Sequence, residues 1–196
     1  MKNSVFIILI LFFSLTIKSF GDTNQLEIKE GNDYAKVQIF IFESLTCPHC
    51  ANFHKNIYPD LKKDFIDKGL VQIHFKSFPL DLAGLNAAKI THCSNKDLRS
   101  AFLHHLYDTQ EKWLKGNNIE DINENLKNSS NNFGLKNFDL QQCLDNKKIE
   151  DYILTERIKA SKKYNVQSTP TVVINEKKFD KPLEYKNLKK AIEKLI

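Results

Sequence analysis

Residues 42–50, with the sequence FESLTCPHC, decide the fold of this chain. The run that leads into them, VQIFIF at residues 37–42, is rich in β-branched and aromatic side chains and predicts a buried central strand. Beyond them, apolar residues recur at helical spacing from residue 48 to 68, which predicts a helix that Pro59 kinks and Gly69 ends. Two cysteines therefore stand where a strand gives way to a helix.

The Cys47-Pro48-His49-Cys50 motif at this junction predicts redox chemistry. Cys47 falls near the N-cap, where free backbone N–H groups and the helix dipole stabilise a thiolate and lower the pKa of the thiol below about 8.5. Pro48 suits the first helical turn, His49 adds a donor beside the sulfur, and Cys50 lies where it can close a disulfide. A stabilised thiolate makes that disulfide easy to reduce, so the motif predicts a disulfide donor.

A C-x-x-C pair also occurs in zinc sites and in structural disulfides, and both possibilities stay open. As half of a structural zinc site it would need a second ligand pair, which Cys93 and Cys143 do not form at their separation. His54 is a conceivable third ligand, although a histidine on this helix is more often a surface residue. A purely structural Cys47–Cys50 disulfide would close too short a loop to stabilise the fold much. No metal is expected.

The rest of the chain predicts an α/β unit that is split by helices. Residues 70–78 (LVQIHFKSF) alternate as a second strand, which makes a βαβ unit with a parallel pair. Residues 82–164 show only helical stretches, among them 96–115, and an Asn-rich break at 128–132. Strand character returns at residues 171–174 (TVVI), and an amphipathic helix closes the chain. The helical insertion is about 80 residues long, as expected for an inserted domain.

A second motif, Ser168-Thr169-Pro170-Thr171, stands directly before the late strand. With FESLTCPHC before it and the helical insertion between the two, the chain resembles the thioredoxin superfamily and, within it, the DsbA-like exported proteins. The resemblance implies a thioredoxin fold with an inserted all-helical subdomain. The thioredoxin-like part would then comprise residues 22–81 and 165–196, and the insertion residues 82–164.

The resemblance also implies roles for the residues of both motifs. Cys47 would be the nucleophile that forms the mixed disulfide, Cys50 the buried resolving thiol, and His49 the residue that tunes the potential. Pro170 would be a cis proline lying against the two cysteines, and Thr169 would contact the substrate peptide through its backbone.

One position departs from the family pattern. Many thioredoxin-like proteins carry a buried acid six residues before the first cysteine of the motif, where this chain has Ile41. Glu43, four residues before Cys47, shares the strand parity of that position. Glu43 would either assist proton transfer at Cys50 or simply mark the end of the strand.

Cys93 and Cys143 both fall in the helical insertion, and we expect them to form a second, structural disulfide. The alternative is two buried free thiols, since cysteine is among the most buried residue types. The adjacent His104 and His105 point to different helix faces and make a poor metal site, while Trp113 is expected in the core.

The first 21 residues predict a cleaved secretion signal. Lys2 precedes an apolar run at residues 5–17, and small residues follow at Ser19 and Gly21. The run is short for a membrane span, although an uncleaved anchor is the alternative. The formal net charge of +5 is spread over isolated lysine pairs, which gives no basis for nucleic acid as a partner.

These features together predict a periplasmic or otherwise exported monomer that oxidises unfolded, cysteine-containing polypeptides. The resemblance implies a DsbB-like, quinone-linked membrane protein as the partner that restores its disulfide, and no bound cofactor is expected. An isomerase or reductase on the same fold is the alternative. It is disfavoured because only about 15 residues separate the predicted cleavage site from the central strand, which leaves no room for the dimerisation domain of the exported isomerases in this superfamily. A non-catalytic metal- or partner-binding module is the third candidate.

Overall fold

The computed structural model of the chain describes residues 23–135 and 139–196. The predicted secretion signal at residues 1–21 lies outside the described residues. Among the described residues, no helix is both long and apolar enough to cross a membrane.

The described residues build a five-stranded mixed sheet in the order β1-β3-β2-β4-β5. The strands are β1 (Ile28–Gly31), β2 (Val37–Glu43), β3 (Val71–Ser77), β4 (Thr171–Ile174) and β5 (Lys177–Lys178). The central strand β2 runs parallel to β3 and antiparallel to β4, and β1 and β5 pair antiparallel at the two edges. The predicted parallel pair on either side of the CPHC helix is therefore confirmed.

Helices cover the sheet and fill most of the chain between β3 and β4. They are α1 (Pro48–Asn56), α2 (Tyr58–Leu61), α3 (Leu82–Cys93), α4 (Arg99–Asp108), α5 (Gln110–Trp113), α6 (Ile119–Phe133), α7 (Leu140–Leu144), α8 (Lys147–Tyr164) and α9 (Tyr185–Glu193). Helix α4 packs on α1, α3 packs on α7 and α8, and α8 lies against β3. The described part of the chain has no strand between β3 and β4.

The alternation of side chains along β2 decides what reaches the site. Ile39 and Ile41 enter the large core that α1 and Cys50 complete. Phe42 enters the smaller core on the opposite face of the sheet. Since side chains two residues apart on a strand point to one face, Glu43 points to the side of α1 and Cys50.

The helix predicted for residues 48–68 is divided. Helix α1 ends at Asn56, α2 begins at Tyr58, and a π-helical turn at Lys62–Ile66 precedes Gly69, which has a φ of +72°. The interruption lies just before Pro59, whose ring nitrogen cannot donate the hydrogen bond that a continuous helix requires.

The predicted break at residues 128–132 is wrong. Helix α6 runs through this Asn-rich stretch and ends at Gly134, which has a φ of +99°. Ser130 is fully buried and its hydroxyl donates to the carbonyl oxygen of Leu126 at 2.8 Å. The ring of Phe133 packs on Phe102 at a centroid distance of 5.1 Å. Tertiary packing thus outweighs the weak helix propensity of Asn and Ser.

Two further predicted elements begin or divide differently. The helix predicted for residues 96–115 is a 3₁₀ turn at Lys96–Leu98 followed by α4 and α5. The division falls at Thr109, whose hydroxyl donates to the carbonyl oxygen of His105 at 2.7 Å. The sequence also predicts a short strand at residues 26–29, but the first strand begins at Ile28, because Leu26 closes a 3₁₀ turn. Trp113 is buried in the core as predicted.

A disulfide joins the end of α3 to α7. Cys93 and Cys143 are bonded, with their Cα atoms 5.7 Å apart and 50 residues between them in sequence. The alternative of two free thiols does not describe the structure.

Candidate redox-active site

Cys47 is the N-cap residue of α1. Its backbone is extended, with φ −82° and ψ 120°, and Pro48 is the first helical residue. The carbonyl oxygen of Cys47 accepts hydrogen bonds from the N–H groups of Cys50 and Ala51, at 3.1 and 3.2 Å. The Cys47 sulfur therefore lies at the end of the helix where backbone N–H groups are free and the dipole favours an anion.

The second motif meets the first in space. The peptide bond between Thr169 and Pro170 is cis. The sulfur of Cys47 lies 3.3 Å from the backbone oxygen of Thr169, although the two residues are 122 apart in sequence. The hydroxyl of Thr171 donates to the carbonyl oxygen of Ser168 at 2.7 Å and braces the turn. The fold thus places Cys47, Thr169 and Pro170 in one site.

The environment lowers the pKa of the Cys47 thiol and raises the pKa of the Cys50 thiol. A hydrogen bond from Cys50 is the main cause that lowers the pKa of Cys47 to about 5. Burial opposes this effect, while Thr169 and the backbone N–H groups of Cys50 and His49 support it. Burial raises the pKa of Cys50 far above its ordinary value, and the charge of Glu43 adds to this. Near neutral pH the reduced site holds a Cys47 thiolate and a Cys50 thiol.

We expect a pH titration of the reduced protein to show this thiolate directly. Its ultraviolet thiolate absorbance should rise with a midpoint near pH 5, because of the two free thiols only Cys47 has a pKa lowered to about 5. Ionised Cys47 stabilises the reduced fold fully above the unfolded pKa of about 8.5. That stabilisation should be lost as the pH falls through the folded pKa of about 5. Cys47→Ser is the control for both measurements, and a midpoint near 8.5 would contradict the lowered acidity.

A shallow groove runs beside the two motifs. It has a volume of about 230 Å³, and its walls include His49, Phe53, Ile57, Thr169 and Pro170. His49 is exposed, whereas Phe53 is fully buried and forms part of the floor. The groove offers apolar surface next to Thr169, whose backbone oxygen contacts the Cys47 sulfur. A surface of this kind suits an extended peptide. A larger hollow of about 540 Å³, between β5 and α9, touches none of the predicted site residues.

Gln110, on α5, hydrogen-bonds to the loop between β2 and α1 (residues 44–47), which we call the active-site loop. Its buried side-chain amide donates to the carbonyl oxygens of Leu45 and Cys47, at 2.7 and 3.1 Å. The sequence carried no signal for this role, because Gln110 lies 63 residues from Cys47. Thr46 anchors the same loop from the other side, with its hydroxyl donating to Asp81 at 2.9 Å.

Glu43 is buried at the end of β2 and pairs with a histidine. Its Oε2 lies 2.7 Å from Nε2 of His54, and both side chains are almost fully buried. The expectation of a surface His54 is wrong, because α4 packs over this face of α1 and Tyr107 stacks on the imidazole with ring centroids 4.0 Å apart. Among the described residues, Oε1 of Glu43 has no hydrogen-bond partner.

The described ranges contain no group of three or more His, Cys, Asp or Glu side chains placed to hold a metal ion. His104 and His105, adjacent in sequence, have separate partners. His104 contacts His54 and Glu30, while His105 contacts Ser129. The Cys93–Cys143 bond likewise leaves these two sulfurs no free thiolate for a metal.

Comparison with known proteins agrees with this geometry. A family model described as thioredoxin matches residues 23–194. The probable disulfide bond formation protein D of Bacillus cereus is 31% identical over 172 residues, which cover 84% of this chain and 76% of that protein. A putative protein-disulfide oxidoreductase of Rickettsia prowazekii is 27% identical over 168 residues, or 85% of this chain. The chain spans 60% of the length of that relative, and 52% of its Rickettsia conorii counterpart.

Solved structures share the fold. The alpha-DsbA1 structure of Wolbachia pipientis has a TM-score of 0.78 and 29% identity, and the match covers 86% of this chain and 90% of that one. BdbD from Bacillus subtilis, at 24% identity, matches in fold with a TM-score of 0.73 over 86% of this chain and 91% of that one. The predicted thioredoxin fold with inserted helices is thus confirmed. The chain therefore belongs to the thioredoxin family and, within it, to the DsbA-like proteins.

Proposed function

We propose that this protein is an exported disulfide oxidase that introduces disulfide bonds into folding, cysteine-containing polypeptides. The observation that carries the proposal is the contrast between the two thiols of one helix turn. Cys47 is an acidic thiol at the N-terminus of α1, and Cys50 is a buried thiol of raised pKa. The stabilised Cys47 thiolate favours the reduced form, so the Cys47–Cys50 disulfide readily accepts electrons.

The reaction begins with the oxidised pair. A client thiolate attacks the sulfur of Cys47, a bond forms between the two sulfurs, and Cys50 leaves as a thiolate that takes up a proton. The second client thiolate then attacks the client sulfur of this mixed disulfide. The client leaves with its own disulfide, and Cys47 departs as the thiolate that the helix terminus stabilises. Two electrons pass from the client to the Cys47–Cys50 pair.

The remaining site residues bind the client, tune the reduction potential and exchange a proton during these steps. The backbone of Thr169, beside Cys47, pairs with the extended client, and Pro170 and the groove shape the docking surface. His49 is exposed next to Cys47 and tunes the reduction potential, since its protonated form favours the thiolate. Glu43, on the same side of the sheet as Cys50, exchanges the proton of the resolving thiol.

The proposal extends to location and partners. The signal-like residues 1–21 and a relative named disulfide bond formation protein D both support work outside the cytoplasm. A DsbB-like, quinone-linked membrane protein then returns the pair to its disulfide form by the reverse exchange. The protein works as a monomer and needs no bound cofactor, because the disulfide is the redox centre.

The reduction potential of the Cys47–Cys50 pair tests this proposal. We expect equilibration with glutathione to give a value near −120 mV, at the oxidising end of the range for this chemistry. The Cys93→Ala/Cys143→Ala variant serves as the control that assigns the value to the Cys47–Cys50 pair. A value near −270 mV would identify a reductase, which is the alternative function of the same site.

A further inference from the structure

A line of hydrogen bonds connects Glu43 with the surface on the far side of α1. Oε2 of Glu43 lies 2.7 Å from Nε2 of His54, and Nδ1 of His54 lies 2.9 Å from Nδ1 of His104. Nε2 of His104 lies 3.1 Å from Oε1 of Glu30 on β1. The four side chains thus form one unbroken series of ionisable groups, drawn from β2, α1, α4 and β1.

Burial decreases along this series. The side chains of Glu43 and His54 are 3% and 2% exposed, whereas those of His104 and Glu30 are 21% and 19% exposed. Lys62, which is 42% exposed, stands 3.8 Å from Glu30. The series therefore runs from the interior, beside the active site, to water.

Aromatic rings enclose the two imidazoles and keep water from their faces. Tyr107 stacks on His54, and Tyr58 stacks on His104 with ring centroids 4.3 Å apart. Phe75 contacts both histidines. A proton that enters this series from Glu43 therefore moves along the hydrogen bonds and not through bulk water.

The three hydrogen bonds of this series need one proton more than two neutral imidazoles supply. Three hydrogen bonds link two carboxylates through two imidazoles, and an ionised carboxylate only accepts. Two neutral imidazoles carry two ring protons, so three bonds between ionised ends need one proton more. That proton resides on either imidazole, or on Glu43, which then donates to His54. These arrangements interconvert by transfer of a proton along an existing hydrogen bond.

Glu30 is suited to the outer end of the series. Burial would raise the pKa of Glu30, but hydrogen bonds from His104, Ser100 and Tyr58 outweigh burial and lower it to about 2. Glu30 is thus a fixed negative charge near neutral pH, which draws a proton outward. The other titratable groups that face the series are Tyr58, Tyr107, Lys62 and the two active-site cysteines, and Asp67 faces Tyr58 and Lys62.

We propose that His54 and His104 form a proton relay that carries the proton of Cys50 between Glu43 and the surface at Glu30. The relay rests on the proposed function, in which Cys50 alternates between a thiol and one half of a disulfide. When the disulfide forms, the S–H bond of Cys50 breaks and its sulfur bonds to Cys47. The partner sulfur leaves Cys47, and the proton passes to Glu43 and outward through the two imidazoles. When the disulfide is reduced, the proton returns along the same path.

The loss of the Cys50 proton can be measured separately when Cys50 attacks a mixed disulfide at Cys47. Reduced protein is mixed with oxidised glutathione. The Cys47 thiolate attacks at a rate that depends on the concentration of oxidised glutathione, and Cys50 then expels the bound glutathione at a rate that does not depend on it.

His104→Gln keeps a hydrogen-bonding side chain but cannot carry a proton. It should slow only the second, concentration-independent phase, by about tenfold or more, with a larger solvent deuterium isotope effect. His105→Gln, the neighbour on the same helix, is the matched control and should behave as the wild type.

Several outcomes overturn the relay. One is a second phase in His104→Gln that equals that of His105→Gln in both water and deuterium oxide. Equal slowing of both phases also overturns it, because that result indicates a structural role. If His104→Gln does not fold, Glu30→Gln is measured in the same way, and an unchanged second phase there rejects the relay. No client protein enters the assay, so an unfavourable reduction potential would reject the oxidase without affecting this result.

Discussion

Cys47→Ser abolishes disulfide transfer to a reduced client peptide, leaving only the uncatalysed background. Cys47 is the acidic thiol of the site, and its sulfur lies beside Thr169, which lines the groove. A serine hydroxyl forms neither a disulfide nor a mixed disulfide, so no residual path through Cys50 exists. The rate of oxidation of a fluorescent two-cysteine peptide by the oxidised protein measures the loss.

Cys50→Ala gives the complementary result. Without the resolving thiol, a mixed disulfide at Cys47 cannot be expelled from within the protein, so client adducts accumulate on non-reducing gels. The Cys93→Ala/Cys143→Ala variant is the control for both substitutions, since it retains the Cys47–Cys50 pair. Disulfide transfer that survives in Cys47→Ser would show that Cys47 is not the nucleophile. Biological activity that is unchanged in Cys47→Ser would instead indicate a non-catalytic metal- or partner-binding module on this fold.

The second large effect concerns stability. Cys93→Ala/Cys143→Ala should lower the free energy of unfolding by about 4 kcal/mol, because the bond closes a long loop and restricts the unfolded chain. The thermal midpoint should fall by roughly 10 °C for a chain of this size. The bond also tethers α7, a helix of five residues that is too short to be stable by itself. Urea unfolding under oxidising conditions measures the difference.

The matched comparison is Cys47→Ser/Cys50→Ser, which removes the short-loop pair and keeps the long-loop bond. It should change the stability of the oxidised protein far less, since the loop it opens is small. Thiol counting on this variant after denaturation provides an independent check. Two free thiols there would show that Cys93 and Cys143 are not bonded in the folded protein.

Glu43 lies close in sequence to the position at which the family resemblance implies a buried acid. That position is occupied by Ile41, which packs in the main core. Glu43 lies two residues later on the same strand face, at the end of β2, and pairs with His54. Strand parity predicted the face, whereas the pairing with His54 was visible only in the structure.

The sequence by itself determined the chemistry of the first helical turn. Cys47, Pro48 and Cys50 lie within one turn, and the N-cap and the helix dipole that act on them are local properties of the backbone. The central strand and the order of the motifs followed from short periodic patterns. Helix boundaries were harder to predict, and the continuity of α6 through residues 128–132 depended on its packing against Phe102.

Only the tertiary structure decided what surrounds that turn. Gln110 holds the loop across 63 residues, and the contact between Cys47 and Thr169 spans 122. The Glu43–His54–His104–Glu30 series needs β1, β2, α1 and α4 to meet, with separations of 11, 50 and 74 residues between its bonded pairs. No local pattern encodes these distances. They arise because burial of the apolar faces sets how α4 packs on α1, and the polar side chains then bond to whatever groups that packing brings within reach.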